Sequence, residues 1–375
     1  MHLATLNIHD FRNITQANLT FGNGLNLVIG GNGQGKSNLL EAIGILANGR
    51  SFRRAPPQAL RRHGQPHFRL DARTHAAGLE HRLEFQGQPE RQLARLNGKP
   101  MTTASAMGQA LAAVIVAPET LRLVREGPAE RRAYLDWLVF SRYREHAPLM
   151  RDYRFALQAR NALLQQPARS TAEMEAWEDR LAVLGGRVSI NRRDLLGHLA
   201  TRLEEHLQTL AVADSQPTLR LGCQIDRDAQ AWSTTEEAAT LYRRLLAEHR
   251  ERDRASGHTS IGPHRDELHL RLNGHPLARY GSQGQQKRFI LALKLAEAEL
   301  LRATLAESPL FLLDDPAAEL DREGFSLFVG ALAALGCQLF ITTCHDAGEI
   351  PWPGAPPATF LVRDGHFATK ESNTA

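Results

Sequence analysis

Eight residues near the start of the chain combine glycines, a lysine and a hydroxyl at a spacing that suits phosphate chemistry. They read Gly30-Gly31-Asn32-Gly33-Gln34-Gly35-Lys36-Ser37, the P-loop pattern of a glycine, four free positions and Gly-Lys-Ser. Glycines allow the positive φ angles that turn successive backbone N–H groups inward into an anion-binding nest. Lys36 can then reach the β- and γ-phosphates of a triphosphate, and the Ser37 hydroxyl can ligate Mg²⁺. The run predicts a nucleotide site.

The residues on either side of this loop predict the two elements that position it. Residues 25–29, Leu-Asn-Leu-Val-Ile, form a short β-prone run that enters the loop. Behind the loop, apolar residues at helical spacing predict an amphipathic helix that ends at Asn48-Gly49. This order of strand, loop and helix places the positive end of the helix dipole under the phosphates. It also argues against a chance glycine-rich turn.

A pair of acids supplies the second part of the predicted site. Residues 309–313, Pro-Leu-Phe-Leu-Leu, read as a buried strand that ends in Asp314-Asp315. The first acid fits the group that supports a nucleotide-bound Mg²⁺, and the second fits the group that polarises an attacking water. A surface turn of acids is the alternative for such a pair alone. It is the weaker interpretation once the P-loop and the preceding apolar strand are counted.

A further phosphate-binding feature lies far along the chain. Ser282-Gln283-Gly284-Gln285-Gln286 opens a predicted helix, and a serine–glycine turn at a helix N-terminus is an anion site. The simplest way to join two such distant phosphate-binding ends is a head-to-tail homodimer. In that dimer, Ser282 of one subunit caps the γ-phosphate held by Lys36 of the other, so dimerisation should depend on the nucleotide. The alternative is that Ser282 acts only as a helix N-cap.

The composition is ordinary for a globular protein. The 375 residues are enough for two or three domains, with 42% hydrophobic and 23% charged residues. No apolar run approaches the roughly 18 residues of a membrane span. The N-terminus lacks the basic region of a signal peptide, and the three cysteines form no CxxC pair. These features predict a cytoplasmic protein with no membrane partner and no zinc site.

A basic segment after the first predicted helix is the candidate DNA contact. The net charge of +4 is too small to indicate nucleic-acid binding by itself, so the distribution of charge carries the argument. Contacts to DNA phosphates are predicted for four clustered arginines: Arg53, Arg54, Arg61 and Arg62. The alternative, that these side chains are solvated or pack on their own subunit, stays equally open.

The order of predicted elements divides the chain into an α/β head and an inserted helical lobe. Short β runs between residues 68 and 96, with a hairpin turn at Asn97-Gly98, predict a β subdomain. From residue 129 to residue 254 the pattern is almost wholly helical, and strand patterns return after residue 262. We expect a head built from residues 1–128 and 255–375 and a compact helical lobe of residues 129–254.

Together these motifs resemble those of ABC-type ATPases. Residues 30–37, 282–286, 312–315 and 318–321 look like the Walker A, signature, Walker B and D-loop motifs. Finer details resemble the RecF family of bacterial recombination mediators, which is related to SMC proteins and other DNA-repair ATPases. They include Phe11-Arg12-Asn13, residues 33–42, Ser51-Phe52-Arg53, Pro118-Glu119, Arg131-Arg132, residues 262–266 and residues 291–297.

The resemblance implies an ABC-type P-loop ATPase head, a mixed sheet with a β subdomain, that takes ATP and Mg²⁺. It implies an ATP-dependent dimer that binds DNA at gaps and double-strand/single-strand junctions. It further implies that the dimer works with RecR and RecO in loading recombinase. By the same resemblance, the nucleotide site also includes a wider set of residues: Arg12, Ser282, Gly284, Gln285, Asp321 and His345.

Two departures from the ABC pattern predict slow hydrolysis, which suits a switch better than a motor. The strand that usually carries a metal-reaching glutamine has none in residues 113–117, and Glu119 is the substitute. The usual Walker B glutamate is replaced by Asp315, one methylene shorter. Two other classes fit less well. A transporter ATPase would carry a complete LSGGQ and a glutamine loop, and an SMC-like DNA-bridging protein would need long arms or a zinc hook.

Overall fold

The computed structural model of the chain describes residues 1–88, 91–101, 107–108, 110–166, 170–210, 215–227, 232–316, 322–344 and 350–370. The chain divides into two compact units. The first comprises residues 1–121, 202–215 and 282–375, and the second comprises residues 122–201 and 216–281. The sequence-based division into residues 1–128 with 255–375 and residues 129–254 stays a prediction.

The strands, in chain order, are β1 (His2–Phe11), β2 (Ile14–Thr20), β3 (Leu25–Ile29), β4 (Phe68–Ala76), β5 (Leu79–Gly87), β6 (Gln92–Leu96), β7 (Lys99–Pro100), β8 (Ala113–Val116), β9 (Pro217–Gly222), β10 (Glu267–Leu272), β11 (His275–Pro276), β12 (Leu310–Asp314), β13 (Leu339–Thr343), β14 (Ala358–Arg363) and β15 (His366–Lys370). The α-helices are α1 (Lys36–Asn48), α2 (Pro57–Leu60), α3 (Arg122–Arg125), α4 (Pro128–Arg142), α5 (His146–Leu164), α6 (Thr171–Thr209), α7 (Thr235–Glu248), α8 (Arg250–Ser256), α9 (Leu277–Tyr280), α10 (Gln283–Leu305) and α11 (Arg322–Ala334).

The central sheet of the first unit carries the nucleotide-site elements. Its strand order is β15-β14-β3-β13-β12-β8, and every neighbouring pair is parallel except β14 with β15. Every residue of β3, β12 and β13 is buried. This agrees with their continuous apolar sequences, because parallel strands are covered on both faces. The carboxyl ends of β3 and β12 therefore lie at one edge of the sheet.

A second sheet of the first unit is wholly antiparallel. Its strand order is β2-β1-β4-β5-β6-β7, and buried residues alternate with exposed or half-buried ones along β4. Asn97 and Gly98 connect β6 to β7 with φ angles of 51° and 79°, the geometry of a type I′ hairpin turn. The predicted β subdomain is confirmed.

One hydrophobic core joins these two sheets through α1. Buried side chains of β1, β4, β12 and β13 lie in the same cluster as the apolar face of α1, represented by Leu6, Ile43, Leu70, Leu312 and Phe340. The helix that begins at the P-loop is therefore fixed on all sides by packing. A shift of this helix would disturb the whole core, because protein interiors are close-packed.

The second unit is mainly helical and contains one small sheet. The prediction of an almost wholly helical segment was wrong at β9, which pairs antiparallel with β10. Here Leu219 and Leu221 alternate with Thr218 and Arg220, a period of two that was hidden by the long helical patterns on either side. The α/β class, with a mixed sheet and a helical lobe, is confirmed.

Candidate nucleotide site

The P-loop connects β3 to α1. Since β3 ends at Ile29 and α1 begins at Lys36, the loop lies at a helix N-terminus, where free backbone N–H groups and the helix dipole favour an anion. Gly33 and Gly35 have φ angles of 77° and 115°, which side chains rarely permit. A Cβ atom at residue 35 would also lie 2.9 Å from the side-chain oxygen of Asn13. This turn therefore requires glycine.

Lys36 points back over the loop rather than into solvent. Its ammonium group donates to the carbonyl oxygens of Gly30 and Gly31 over 2.6 and 2.9 Å, and to the sulfur of Cys344 over 3.3 Å. The residue is only 7% exposed. A buried ammonium needs several acceptors, and phosphate oxygens cradled by the loop would be charged acceptors in the same place.

Three oxygen-bearing side chains meet at the first turn of α1. The Ser37 hydroxyl donates to Oδ1 of Asp314 over 2.7 Å, and the Thr342 hydroxyl donates to the same oxygen over 2.8 Å. Parallel pairing of β12 with β13 sets Asp314 opposite Thr342. Hydroxyl and carboxylate oxygens are the ligands that Mg²⁺ prefers. Ser37 and Asp314 therefore fit the magnesium role.

Asp315 and Glu119 follow neighbouring strands of the same sheet. Asp315 has a φ of 51°, and its backbone N–H donates to Thr342 Oγ1 over 2.9 Å. Glu119 follows β8, the parallel neighbour of β12. Its Oε2 atom is buried and has no hydrogen-bond partner among the described residues. Because an unpaired buried oxygen is costly, this carboxylate is available to a ligand at the sheet edge.

Arg12 takes part in a buried network behind the P-loop helix. Its guanidinium donates two hydrogen bonds, each 2.8 Å long, to the carboxylate of Glu41, which is fully buried. The Ser51 hydroxyl donates to the same carboxylate over 2.5 Å. Arg12 itself has a φ of 56°. The network ties the end of β1 to α1, so it supports the P-loop helix from behind.

The four arginines predicted to contact DNA occupy different surroundings. Arg53 lies at the nucleotide site, 3.6 Å from Asp314 Oδ2, and donates to the Asn38 side chain over 3.0 Å. Arg62 pairs with Asp10 over 2.6 Å. Arg61 donates to the carbonyl of Pro66 over 3.0 Å, and Arg54 is an exposed residue with a φ of 56°. Their assignment to DNA stays a prediction.

The candidate signature motif opens α10. Ser282 is the N-cap: its hydroxyl accepts from the backbone N–H of Gln285 over 3.2 Å, and the Gln285 side chain accepts from the N–H of Ser282 over 2.8 Å. Ser282 and Gly284 are exposed. The capping role that the sequence left open is therefore present, and the exposed turn can face another molecule. The predicted ligands Asp321 and His345 lie outside the described residues.

Comparison with known proteins places this site in a family. The protein-family model described as "RecF/RecN/SMC N terminal domain" matches residues 2–348. A "DNA replication and repair protein RecF" from Magnetococcus marinus is 55% identical, over 99% of this chain and 98% of the relative. The chain belongs to the RecF family. A RecF protein from Anaeromyxobacter is 38% identical, over 97% of this chain and 98% of its own.

Solved structures agree with the RecF assignment. One of the recombination mediator protein RecF with ATP, in the RecFOR pathway, has a TM-score of 0.89 and 27% identity, and covers 99% of this chain and 98% of its own. An Smc head bound to the C-terminal winged-helix domain of ScpA has a TM-score of 0.56 and 14% identity, which supports the fold alone. None of the described helices has the length and apolar character of a membrane-spanning segment.

Sequence patterns missed several residues that shape this RecF-family site. Thr342 holds Asp314, Glu41 holds Arg12, and Asn13 accepts a hydrogen bond from Asn38 over 2.8 Å. Each contact joins residues that are distant in the chain or lie on different elements. A charged residue inside the apolar pattern of α1 was the one available signal for Glu41, since such a residue is rarely buried without a partner.

Proposed function

We propose that this chain is an ATP-dependent DNA-binding switch in recombinational DNA repair. One observation carries the nucleotide part of the proposal: the P-loop serine and the acid at the end of β12 lie in direct contact, with a hydrogen bond of 2.7 Å from Ser37 to Asp314. Membership of the RecF family supports the repair part, since curated relatives are named DNA replication and repair proteins.

In this proposal each side chain of the site has one role. Backbone N–H groups of residues 30–37 hold the phosphates, and Lys36 moves its ammonium from loop carbonyls to the β- and γ-phosphate oxygens. Ser37 and Asp314 would hold Mg²⁺, which would neutralise negative charge on the phosphates. Asp315 polarises the attacking water, and Glu119 takes the place of the missing glutamine. By family resemblance, Arg12, Asp321 and His345 complete the site.

In this proposal, bound ATP holds two copies of the chain together. The exposed turn of Ser282, Gly284 and Gln285 caps the γ-phosphate held by the P-loop of a second copy. The N-terminus of α10 supplies a partial positive charge and N–H donors for this contact. Hydrolysis removes the γ-phosphate and so releases the pair. The shortened acid at residue 315 makes that step slow.

DNA binding is the output of the switch. Within the proposed division, residues 1–128 and 255–375 form the ATPase head and residues 129–254 form the lobe. Stable duplex binding needs several phosphate contacts, and a monomer with a net charge of +4 supplies a weak field. Two juxtaposed copies double the positive charge that faces the DNA. Because ATP brings the two copies together, ATP should control the affinity for DNA. The family resemblance adds a preference for gaps and junctions, cooperation with RecR and RecO, recombinase loading and a cytoplasmic location.

DNA-binding titrations with and without nucleotide test this proposal. Fluorescence anisotropy of a labelled gapped duplex should show tight binding with ATP and Mg²⁺, and much weaker binding with ADP or without nucleotide. A matched intact duplex and a single strand establish the structural preference. Equal affinity in all nucleotide states would show that ATP does not control DNA binding. No binding to any of the three DNAs would contradict the proposed function.

A further inference from the structure

The small sheet of the second unit has one apolar face and one basic face. Leu268, Leu270 and Leu272 of β10 are buried, while the residues between them are exposed. On the outer face, register pairs His269 with Arg220, and Arg271 with Thr218. Arg220 and Arg271 are therefore diagonal neighbours on adjacent strands, at a typical separation of about 7–8 Å. Both are exposed.

The positive charge of this face is not cancelled by acids. Within β9, β10, β11 and α9 the one acid is Glu267, and it pairs with Arg131 over 2.6 Å. Arg271 donates to the carbonyl of Gly274 over 3.1 Å, and Arg279 lies over the exposed Tyr280 ring at 5.5 Å. In the described part of the chain, no carboxylate forms an ion pair with any arginine of β9, β10 or α9.

Another exposed strand pair of the same protein shows the usual arrangement. On β4 and β5, Arg69 and Arg82 pair with Asp71 and Glu84 at N–O distances between 2.5 and 3.4 Å. Arginines on that surface are neutralised within the protein. The contrast identifies the face of β9 and β10 as one whose arginines have no acidic partner among the described residues.

A cavity of about 180 Å³ opens beside the basic face, and its lining includes Arg131, His269 and Arg271. The His269 ring lies over Gly222, at a distance of 2.6 Å from the position of a Cβ there. Glycine at residue 222 therefore leaves this part of the face flat. A flat strand surface with cationic side chains and an adjacent recess suits an extended polyanion, because phosphates can approach several arginines at once.

We propose that the outer face of β9 and β10, through Arg220 and Arg271, contacts the phosphate backbone of DNA. This inference rests on the proposed DNA-binding function and locates one surface for it. The surface differs from the predicted one at Arg61 and Arg62, where Arg62 already pairs with the carboxylate of Asp10 over 2.6 Å. Arginine is suited to the contact because its guanidinium donates two parallel hydrogen bonds to a phosphate.

The expected size of the effect follows from counterion release. Each phosphate contact contributes about 0.9 to the slope of log K against log salt, so losing two contacts flattens the slope by about 1.8 for each subunit that touches DNA. If the variant and the wild-type chain bind DNA equally at 1 M salt, a slope flattened by about 1.8 makes the variant bind about thirtyfold more weakly at 0.15 M salt. Nucleotide affinity should not change.

The test compares two double variants of the full chain in the presence of ATP and Mg²⁺. R220Q/R271Q removes the un-neutralised pair, and R69Q/R82Q removes two exposed strand arginines that acids already neutralise. Anisotropy of a labelled duplex is measured between about 50 and 200 mM salt, beside nucleotide affinity and thermal unfolding. We expect the flattened slope in R220Q/R271Q alone. The conservative R220K/R271K should keep most of the slope, because it retains both charges.

The controls separate this inference from the proposed function. If the wild-type chain binds DNA and R220Q/R271Q matches it in affinity and slope, the inference is wrong and the function stands. The face would then serve another occupant, such as an acidic protein. If the wild-type chain does not bind DNA with ATP, both are wrong. A loss shared equally by R69Q/R82Q would mean a nonspecific charge effect, which also overturns the inference.

His269 allows a second test, the pH dependence of DNA binding, which a general loss of charge should not affect. Burial lowers the pKa of this histidine, Glu267 opposes that shift, and Arg220, Arg271 and Arg131 lower the pKa further. A phosphate on this face would raise the pKa again, so DNA binding should take up a proton and strengthen as pH falls towards the lowered pKa of this histidine. His269→Gln should remove that part of the pH dependence. An unchanged pH dependence would contradict contact at this face.

Discussion

Asp315 follows the acid that pairs with Ser37, and changing it to asparagine replaces one carboxylate oxygen with an amide nitrogen. The residue has a φ of 51°, in the left-handed region that asparagine adopts readily. Its backbone hydrogen bond to Thr342, 2.9 Å long, does not depend on the side chain. The shape of the turn and the contact between Ser37 and Asp314 should therefore persist. We expect the free energy of unfolding to change by no more than about 0.5 kcal/mol.

The expected effect on chemistry is much larger. An amide cannot accept the proton of an attacking water, and general-base assistance typically contributes about 10²–10⁴-fold to a rate. At about 1.36 kcal/mol for each factor of ten, the barrier to hydrolysis should rise by about 2.7–5.4 kcal/mol. The proposed Mg²⁺ ligands Ser37 and Asp314 are unchanged, so the variant should accumulate as an ATP-bound dimer.

Phosphate release in single-turnover conditions measures the rate, and sedimentation of the same samples measures the dimer. Asp315→Glu is the matched variant, since it keeps the carboxylate and restores the usual Walker B length. It should hydrolyse ATP at least as fast as the wild-type chain. Wild-type hydrolysis in Asp315→Asn would refute the assignment of Asp315 as the activating group. Loss of ATP binding in that variant would instead place Asp315 among the metal ligands.

Three further predictions follow from single contacts. Lys36→Arg puts a bulkier planar head into a loop fitted to an ammonium group, so ATP-dependent dimerisation and hydrolysis should both fall; wild-type values would refute the phosphate role. Arg192→Met removes the guanidinium that pairs with the buried Asp266 over 2.8 Å and with the half-buried Asp136 over 2.7 Å, and it should cost about 3–5 kcal/mol in urea unfolding; a smaller loss would show that other groups stabilise these carboxylates. Burial lowers the pKa of His264 from 6.5 to about 4, so the native state binds fewer protons than the unfolded chain, and stability should fall as pH drops from 6.5 to 4. His264→Gln should flatten unfolding free energy against pH in that window, and an unchanged profile would contradict a neutral buried histidine.

The sequence predicted the strand and the helix on either side of the P-loop, for a physical reason. A P-loop is a run of adjacent residues between a strand and a helix, and its glycines are required by backbone angles at Gly33 and Gly35. Asp314 could be placed for a similar reason, because it ends a continuous apolar strand. Both predictions use information contained within about ten residues of chain.

Contacts between distant segments could not be predicted in this way. Thr342 lies opposite Asp314 because β13 is the parallel neighbour of β12, and no local pattern states strand order. Arg12 and Glu41 meet through the packing of β1 and α1. Arg53 illustrates the same limit, since a basic cluster gives the sign of the charge but not its neighbours. Its guanidinium lies 3.6 Å from Asp314.

The β9 strand was missed because two helical patterns surround a short alternating one. Its six residues form a strand by pairing with β10, which lies about fifty residues further along the chain. The basic face at Arg220 and Arg271 follows from that pairing. Sequence reasoning counted arginines in one segment, whereas the cross-strand register brings together arginines from two.

In the proposed function, ATP joins two copies of the chain through the P-loop of one and the turn at Ser282 of the other. Sedimentation velocity of the wild-type chain with ATP and Mg²⁺, with ADP and without nucleotide tests it most directly, beside Ser282→Arg as a variant that blocks the turn. We expect a dimer with ATP and Mg²⁺ but not with ADP or without nucleotide, slower dissociation in Asp315→Asn, and no dimer in Ser282→Arg although that variant still binds ATP. The same sedimentation coefficient in all three nucleotide states, or an ATP-induced dimer in Ser282→Arg, would contradict it.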